Sequence, residues 1–233
     1  MSQDGDQWDS VRASYARRAA LPRGQYSALD PAVLRPHQER QRAIADQLVA
    51  AHGTNVAGLC LTEVGCGNGH NLLEMLRFGF RPECLTGLEL LEDRAEAARS
   101  ILPSSLRVIA GDANNAPIDA SSQDIVYQSV VFSSILDDDL QRRLAERMWQ
   151  WVRPGGAVLW YDFVYDNPRN PDVRGVPLHR VRALFPEGSM RVRRVTLAPP
   201  IARAVCRISP PLYALFNAVP LLRTHVICWI EKP

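Results

Sequence analysis

A chain of 233 residues, 46% hydrophobic and 22% charged, has the material for one well-buried core of ordinary globular type. Five cysteines, odd in number and without a C-x-x-C pair, exclude a disulfide framework and a zinc site, so no metal is expected. A net charge of +2 and an acidic, polar start, Met1–Asp6, fit neither a signal nor a transit peptide, and a reducing cytoplasm is the expected setting.

Residues 1–33 are mixed and interrupted by Pro22, Gly24 and Pro31; Tyr15 and Tyr26 are candidates for a lid. The spacing predicts a helix from Pro36 to about Ala51, with Ile44, Leu48 and Val49 on one face. An apolar run, Gly58–Thr62, then leads through Glu63-Val-Gly-Cys-Gly-Asn-Gly69 into Asn71–Leu76, whose apolar spacing is helical. Strand, glycine-rich turn and helix start bring backbone N–H groups and a positive helix end against an anionic group. A dinucleotide fingerprint would need a glycine where His70 stands, which disfavours a nicotinamide-dependent oxidoreductase.

A second strand, Leu85–Leu90, puts Glu89 at its carboxyl end, twenty residues past Gly69, where a carboxylate can accept both hydroxyls of a ribose. Leu106–Ala113 reads as a third strand ending near Asp112, and Asp124–Val131 as a fourth. Asp137-Asp-Asp139 reads as the cap of a helix beginning near Leu140. Pro154-Gly-Gly156 is a turn feeding a fifth strand that ends at Asp162. Cys60 and Cys84 fall in apolar strands and read as core. This alternation predicts right-handed crossovers and a parallel sheet. Beyond a proline-rich loop at 166–171, Met190–Leu197 and Thr224–Ile230 read as two more strands.

Glu63-x-Gly65-x-Gly67-x-Gly69, Glu89, Gly111-Asp112-Ala113 and Pro154-Gly-Gly156, in this order and spacing, resemble the class I S-adenosylmethionine-dependent methyltransferases. The resemblance covers roughly residues 58–165 and is specific as a set. It implies an α/β fold: a Rossmann-like, seven-stranded, mostly parallel sheet with helices on both faces, an antiparallel last strand and a helical insertion before it. One methyltransferase domain would span 1–233, with a cap and helix at 1–52, a cofactor-binding core at 53–165 and a substrate side at 166–233. S-adenosylmethionine is the implied cofactor. By the resemblance, Gly65, Cys66, Gly67 and Gly69 hold its methionine portion, and Glu63 lies near its amino group. Glu89, with Leu90, holds the ribose; Asp112 and Ala113 meet the adenine; Gln128 and Ser129 lie beside the sulfonium. Glu89 stands where many relatives have aspartate, a mild departure.

A small-molecule or saccharide acceptor, methylated on oxygen or nitrogen, is the leading expectation. Amino-methylating nucleic-acid enzymes carry an Asn/Asp-Pro-Pro-aromatic motif where this chain has Gln128–Val131, and the chain has one lysine, Lys232, so no nucleic acid is expected, and a nucleic-acid acceptor stays as a less favoured alternative. A hydroxyl acceptor calls for a general base, and Asp162 and His179 are the candidates, ahead of His225. Between Arg169 and His225 ten arginines face Asp172 and Glu187, a local balance of +8, which suits an anionic acceptor. The apolar stretch Ala198–Leu222 contains Arg203, Arg207 and several prolines, so it is no transmembrane helix. It reads as one or two inserted helices forming a substrate wall or a homodimer contact; peripheral membrane contact, with a lipid-linked acceptor, is the lesser alternative. A catalytically silent cofactor-binding protein is the rival to an enzyme.

Overall fold

The computed structural model describes residues 27–168 and 170–233. Tyr15, Tyr26 and Arg169 lie outside them. The first helix, α1 (Pro31–His52), begins five residues before the expected start. Asp30 accepts a hydrogen bond from the Ala32 N–H at 2.8 Å, and Pro31 takes the first helical position, so the cap outweighs the proline at 36. Ala43, Ile44 and Leu48 are buried, whereas Val49 is 53% exposed and leaves the predicted apolar face.

The rest alternates as expected: β1 (Leu61–Val64), α2 (His70–Phe78), β2 (Leu85–Glu89), α3 (Glu92–Ile101), β3 (Arg107–Ala110), β4 (Gln123–Ser129), α4 (Asp138–Trp151) and β5 (Val152–Phe163). There follow α5 (Leu178–Leu184), β6 (Ser189–Leu197), α6 (Pro199–Ile208), α7 (Leu212–Asn217) and β7 (Arg223–Glu231). The seven strands lie in the order β3-β2-β1-β4-β5-β7-β6. The first five are parallel, and β7 is antiparallel to both β5 and β6. This is the Rossmann-like mixed sheet, with α6 and α7 inserted before the last strand.

Both sheet faces are covered, as a parallel sheet requires. Side chains alternate along β5: Val158 and Trp160 pack with Phe132, Met148 and Trp151 on the α4 side. Leu159 and Tyr161 pack with Ile44, Leu72 and Met75 on the α1–α2 side. Cys60 and Cys84 are half-buried residues just outside the strands, which corrects their reading as core. The third strand stops at Ala110 and the fourth at Ser129, so Asp112 and Val130 belong to turns. Asp137 caps α4 as expected, accepting from the Leu140 N–H at 2.6 Å.

Sheet order reverses between β1 and β4: β2 continues on one side and β5 on the other. At such a switch point the crossovers diverge and leave a crevice at the carboxyl ends of the strands. β6 runs in the direction of β5, and Phe163 pairs with His225 while Leu197 pairs with Arg223. The α6–α7 insertion therefore projects from this same carboxyl edge.

Candidate active site

The chain leaves β1 through Gly65 and Gly67, with φ of +67° and +57°. A Cβ at Gly67 would stand 2.5 Å from Arg94 Nη2, and one at Gly65 would stand 2.5 Å from Val131 Cγ2. Glu89 fastens this turn. Its carboxylate accepts from the Gly67 N–H at 2.8 Å and from the Leu91 N–H at 3.0 Å, joining the turns after β1 and β2. Each oxygen keeps a lone pair, so the backbone contacts leave room for a hydroxyl donor. Burial pushes the Cys66 thiol up, with the Glu63 and Glu89 carboxylates adding to it, so Cys66 serves as packing under the loop.

Beneath the loop lies a buried charged network that the sequence reading missed. Asn71 Nδ2 donates to Glu63 Oε1 at 2.6 Å, and Arg40 Nη2 donates to Asn71 Oδ1 at 2.8 Å. Arg40 Nη1 donates to Ser129 Oγ at 3.3 Å, and the guanidinium carbon stands 5.4 Å from the centre of the Tyr161 ring. His37 pairs with Glu74, whose Oε1 lies 3.7 Å from Arg40 Nη2. Among the described residues, Glu63 Oε2, Arg40 Nε and both carboxylate oxygens of Glu74 are buried in this network without a hydrogen-bond partner. Burial raises the Glu63 carboxyl to about 8, although Asn71 and Arg40 pull it down. Burial works against the charge on Arg40, but the Tyr127 and Tyr161 phenols, Glu74 and Glu63 outweigh it, and the pKa rises.

Arg40 was detectable in principle. It sits four residues before Ile44, on the helix face the apolar pattern marks as inward.

The turn after β4 is tightly held. Val130 takes φ +54°, a left-handed conformation costly for a β-branched residue. Its N–H donates to Tyr161 O at 2.9 Å, and Gln128 uses Oε1 on the Val131 N–H at 3.1 Å and Nε2 on Tyr161 O at 3.3 Å. Gln128 is thus fully buried as a brace for the turn, while Ser129, on the α1 face, meets Arg40. Asp112 accepts from the Asn114 N–H at 2.9 Å and caps a short 3-10 turn that starts at Ala113.

The candidate bases separate. Asp162 is fully buried on the α4 side and accepts from the Ser133 N–H at 3.1 Å and the Phe163 N–H at 2.9 Å. Burial raises its carboxyl to about 7. Its contacts make it a clamp on the post-β4 turn. His179 is exposed on the rim of a cleft of about 450 Å³ formed with Gln141, Tyr165, Asp166, Arg174 and Arg180. That cleft adjoins the post-β4 turn, because the Arg174 N–H donates to Ser133 O at 2.9 Å. His225 stacks on Tyr161 at 5.1 Å, next to Arg40, and burial lowers its pKa to about 4.

Several arginines of the basic 169–225 stretch are engaged within the fold. Arg174 and Arg180 both pair with Asp138, Arg191 pairs with Glu231 at 3.5 Å and Arg193 with Asp46 at 2.5 Å. Arg223 donates to the Asn217 and Arg194 carbonyls. Among the described residues no group of three His, Cys, Asp or Glu is placed to hold a metal ion.

Residues 62–156 match the family described as "Methyltransferase domain". Among solved structures, the chain resembles geranyl diphosphate C-methyltransferase from Streptomyces coelicolor A3(2), at TM-score 0.62 and 16% identity, over 92% of this chain and 88% of that one. It also resembles an S-adenosylmethionine-dependent methyltransferase from Archaeoglobus fulgidus, at TM-score 0.57 and 13% identity, over 85% and 98%. The [4+2]-cyclase SpnF is similar too, at TM-score 0.59 and 16% identity, over 83% and 81%. At such identities the likeness is one of fold. A tRNA N(3)-methylcytidine methyltransferase of Drosophila melanogaster is 29% identical over 109 residues, 43% of this chain and 33% of the relative. The chain thus spans about a third of the length of the curated relative it matches.

Residues 62–156 thus carry a methyltransferase domain, on the fold that solved S-adenosylmethionine-dependent methyltransferases share. S-adenosylmethionine is the cofactor of that domain. The residues present fit it: a zwitterionic methionine end has an ammonium for the unpartnered Glu63 Oε2 and a carboxylate for the unpartnered Arg40 Nε.

Proposed function

We propose that the chain transfers a methyl group from S-adenosylmethionine to a hydroxyl of a small-molecule or saccharide acceptor. The observation that carries this reading is that two of the network's orphaned polar atoms, Glu63 Oε2 and Arg40 Nε, are opposite in charge and buried under a glycine turn at the switch point of the sheet. Left without a ligand, each costs free energy, and a zwitterion relieves both. In this reading Glu63 and Arg40 hold the methionine end, Glu89 with Leu90 the ribose, and Asp112 with Ala113 the adenine edge. The cofactor supplies a methyl group on a positively charged sulfur.

The acceptor occupies the 450 Å³ cleft, which is large enough for a monosaccharide-sized group. Tyr165, Asp166 and His179 offer hydrogen-bond partners to hydroxyls there. Arg174 and Arg180 are engaged with Asp138, which favours a neutral acceptor over the anionic one that charge counting suggests. His179, exposed at the rim, takes the hydroxyl proton. Asp162 acts through the turn it clamps and is a positioning residue.

Release of S-adenosylhomocysteine in the presence of a fractionated metabolite extract tests for turnover. Once an acceptor is found, His179→Ala should lower turnover at least tenfold while S-adenosylhomocysteine affinity stays unchanged. Unaltered turnover would remove His179 from the reaction. Tight cofactor binding with no release under any acceptor fraction would favour the catalytically silent alternative.

A further inference from the structure

The stretch Ile208–Leu222 contains no charged residue, yet much of it faces solvent. Ile208 is 79% exposed, Leu215 66%, Phe216 38%, Val219 45% and Leu221 86%. Singly exposed apolar side chains are ordinary; five within fourteen residues of one small module are not.

The inner face of this module has its packing already. Tyr213 is buried with Leu197, Ala202, Val205 and Cys206. Tyr213 Oη donates to Glu39 Oε2 at 2.8 Å, and Asn217 Nδ2 donates to Glu39 Oε1 at 2.8 Å, fixing α7 to α1. The apolar outer face is therefore a second surface, and it is carried by a firmly anchored element.

Charge indicates what covers it. Arg203 and Arg207, one turn apart on α6, are exposed, and neither makes an ion pair among the described residues. With Asp30, Ala32 and Cys206 they line a cleft of about 250 Å³ beside the apolar face. Arg174, Arg180, Arg191, Arg193, Arg194 and Arg223 have partners in the fold, whereas among the described residues Arg203 and Arg207, like Arg182, have none. Among the described residues Asp30 is the one acidic group lining the cleft, and its Oδ1 is occupied by the Ala32 N–H. Apolar side chains next to unpaired arginines, on short helices that Pro210, Pro211 and Pro220 keep from lengthening into a span, are the composition of an interfacial element. No helix among the described residues is long and apolar enough to cross a membrane.

We propose that the outer face of α6, α7 and the turn through Leu221 docks the chain onto an anionic lipid bilayer, with Arg203 and Arg207 meeting lipid phosphates. The module projects from the carboxyl edge of the sheet, so docking brings the glycine-turn edge close to the membrane surface. The inference stands on exposure and charge and does not depend on methyl transfer.

Vesicle flotation of the full chain tests it, with phosphatidylcholine alone against phosphatidylcholine containing 30–40 mol% phosphatidylglycerol, a range in which ~1 kcal/mol per basic residue is available. Binding is expected to the anionic vesicles, weakening as salt rises. Arg203→Ser with Arg207→Ser should weaken it about fivefold per arginine. Ile208→Ser, Leu215→Ser and Leu221→Ser together should lower the bound fraction at least tenfold, with S-adenosylhomocysteine affinity retained as proof of folding. Absence of flotation with anionic lipid, or flotation that the triple substitution leaves unchanged, overturns the proposal. So does a dimer that the triple substitution converts to monomer with no vesicle binding in either form, which assigns the face to a second copy.

Discussion

Arg40 and Arg203 belong to the same edge of the sheet and to opposite physical regimes. Arg40 sits inside a network of Glu63, Asn71, Glu74, Ser129 and Tyr161, where every neighbour shifts its charge or uses its donors. Arg203 stands in solvent next to apolar side chains that are exposed in turn. The first region is polar and buried, the second apolar and exposed, and both invert the usual partition of residues. An inversion costs stability unless something outside the chain relieves it, and the proposed ligands would do so for each: a zwitterion in one case, a lipid surface in the other.

The contrast is broken most directly by substituting the two arginines. Arg40→Ala leaves buried carboxylates without their cation, and stability should fall by about 3–5 kcal/mol in chemical denaturation. Arg203→Ala should stay within about 0.5 kcal/mol of the parent chain. Equal effects would mean that the buried network carries no special strain.

A smaller effect is expected from pH. Folded Glu63 and Asp162 titrate at about 8 and about 7, above the ordinary carboxylate range. Between roughly pH 4.5 and 8 the folded chain thus holds protons that the unfolded chain has released, so stability falls as pH rises through that window. Thermal unfolding should show a lower Tm at pH 8 than at pH 5.5, by about 2–4 °C for each kcal/mol lost in a domain of this size. S-adenosylhomocysteine should narrow the gap, because its ammonium favours ionised Glu63. A Tm that rises with pH would contradict the buried, unpartnered state of that carboxylate.

Much of the fold was legible because its signals are local. Strand and helix periods, the glycine turn and the prolines placed all seven strands, and the cap at Asp137 read correctly from three successive aspartates. The expected start of α1 falls five residues late because Pro31 reads as an interruption and Pro36 as the start, whereas Asp30 and Pro31 form the stronger start signal. At the site, Glu63, Glu89 and Asp112 are candidates read from their positions near strand ends. Arg40 was passed over since a charged residue in a helix is normally solvated, and only tertiary packing turns it inward. Gln128 and Asp162 stand near the expected place, but their side chains brace Val130–Ser133, a role set by long-range pairing of β4 with β5. The apolar stretch after β6 was plain in the sequence; its exposure was not, because apolar runs ordinarily mean burial.

Calorimetric titration with S-adenosylhomocysteine, on the parent chain and on Glu63→Gln, tests the central claim. The account predicts clear binding to the parent, at least tenfold weaker binding to Glu63→Gln, and proton release on binding near pH 7 as Glu63 ionises. No heat with the parent chain, or equal affinity and no proton release, would contradict it.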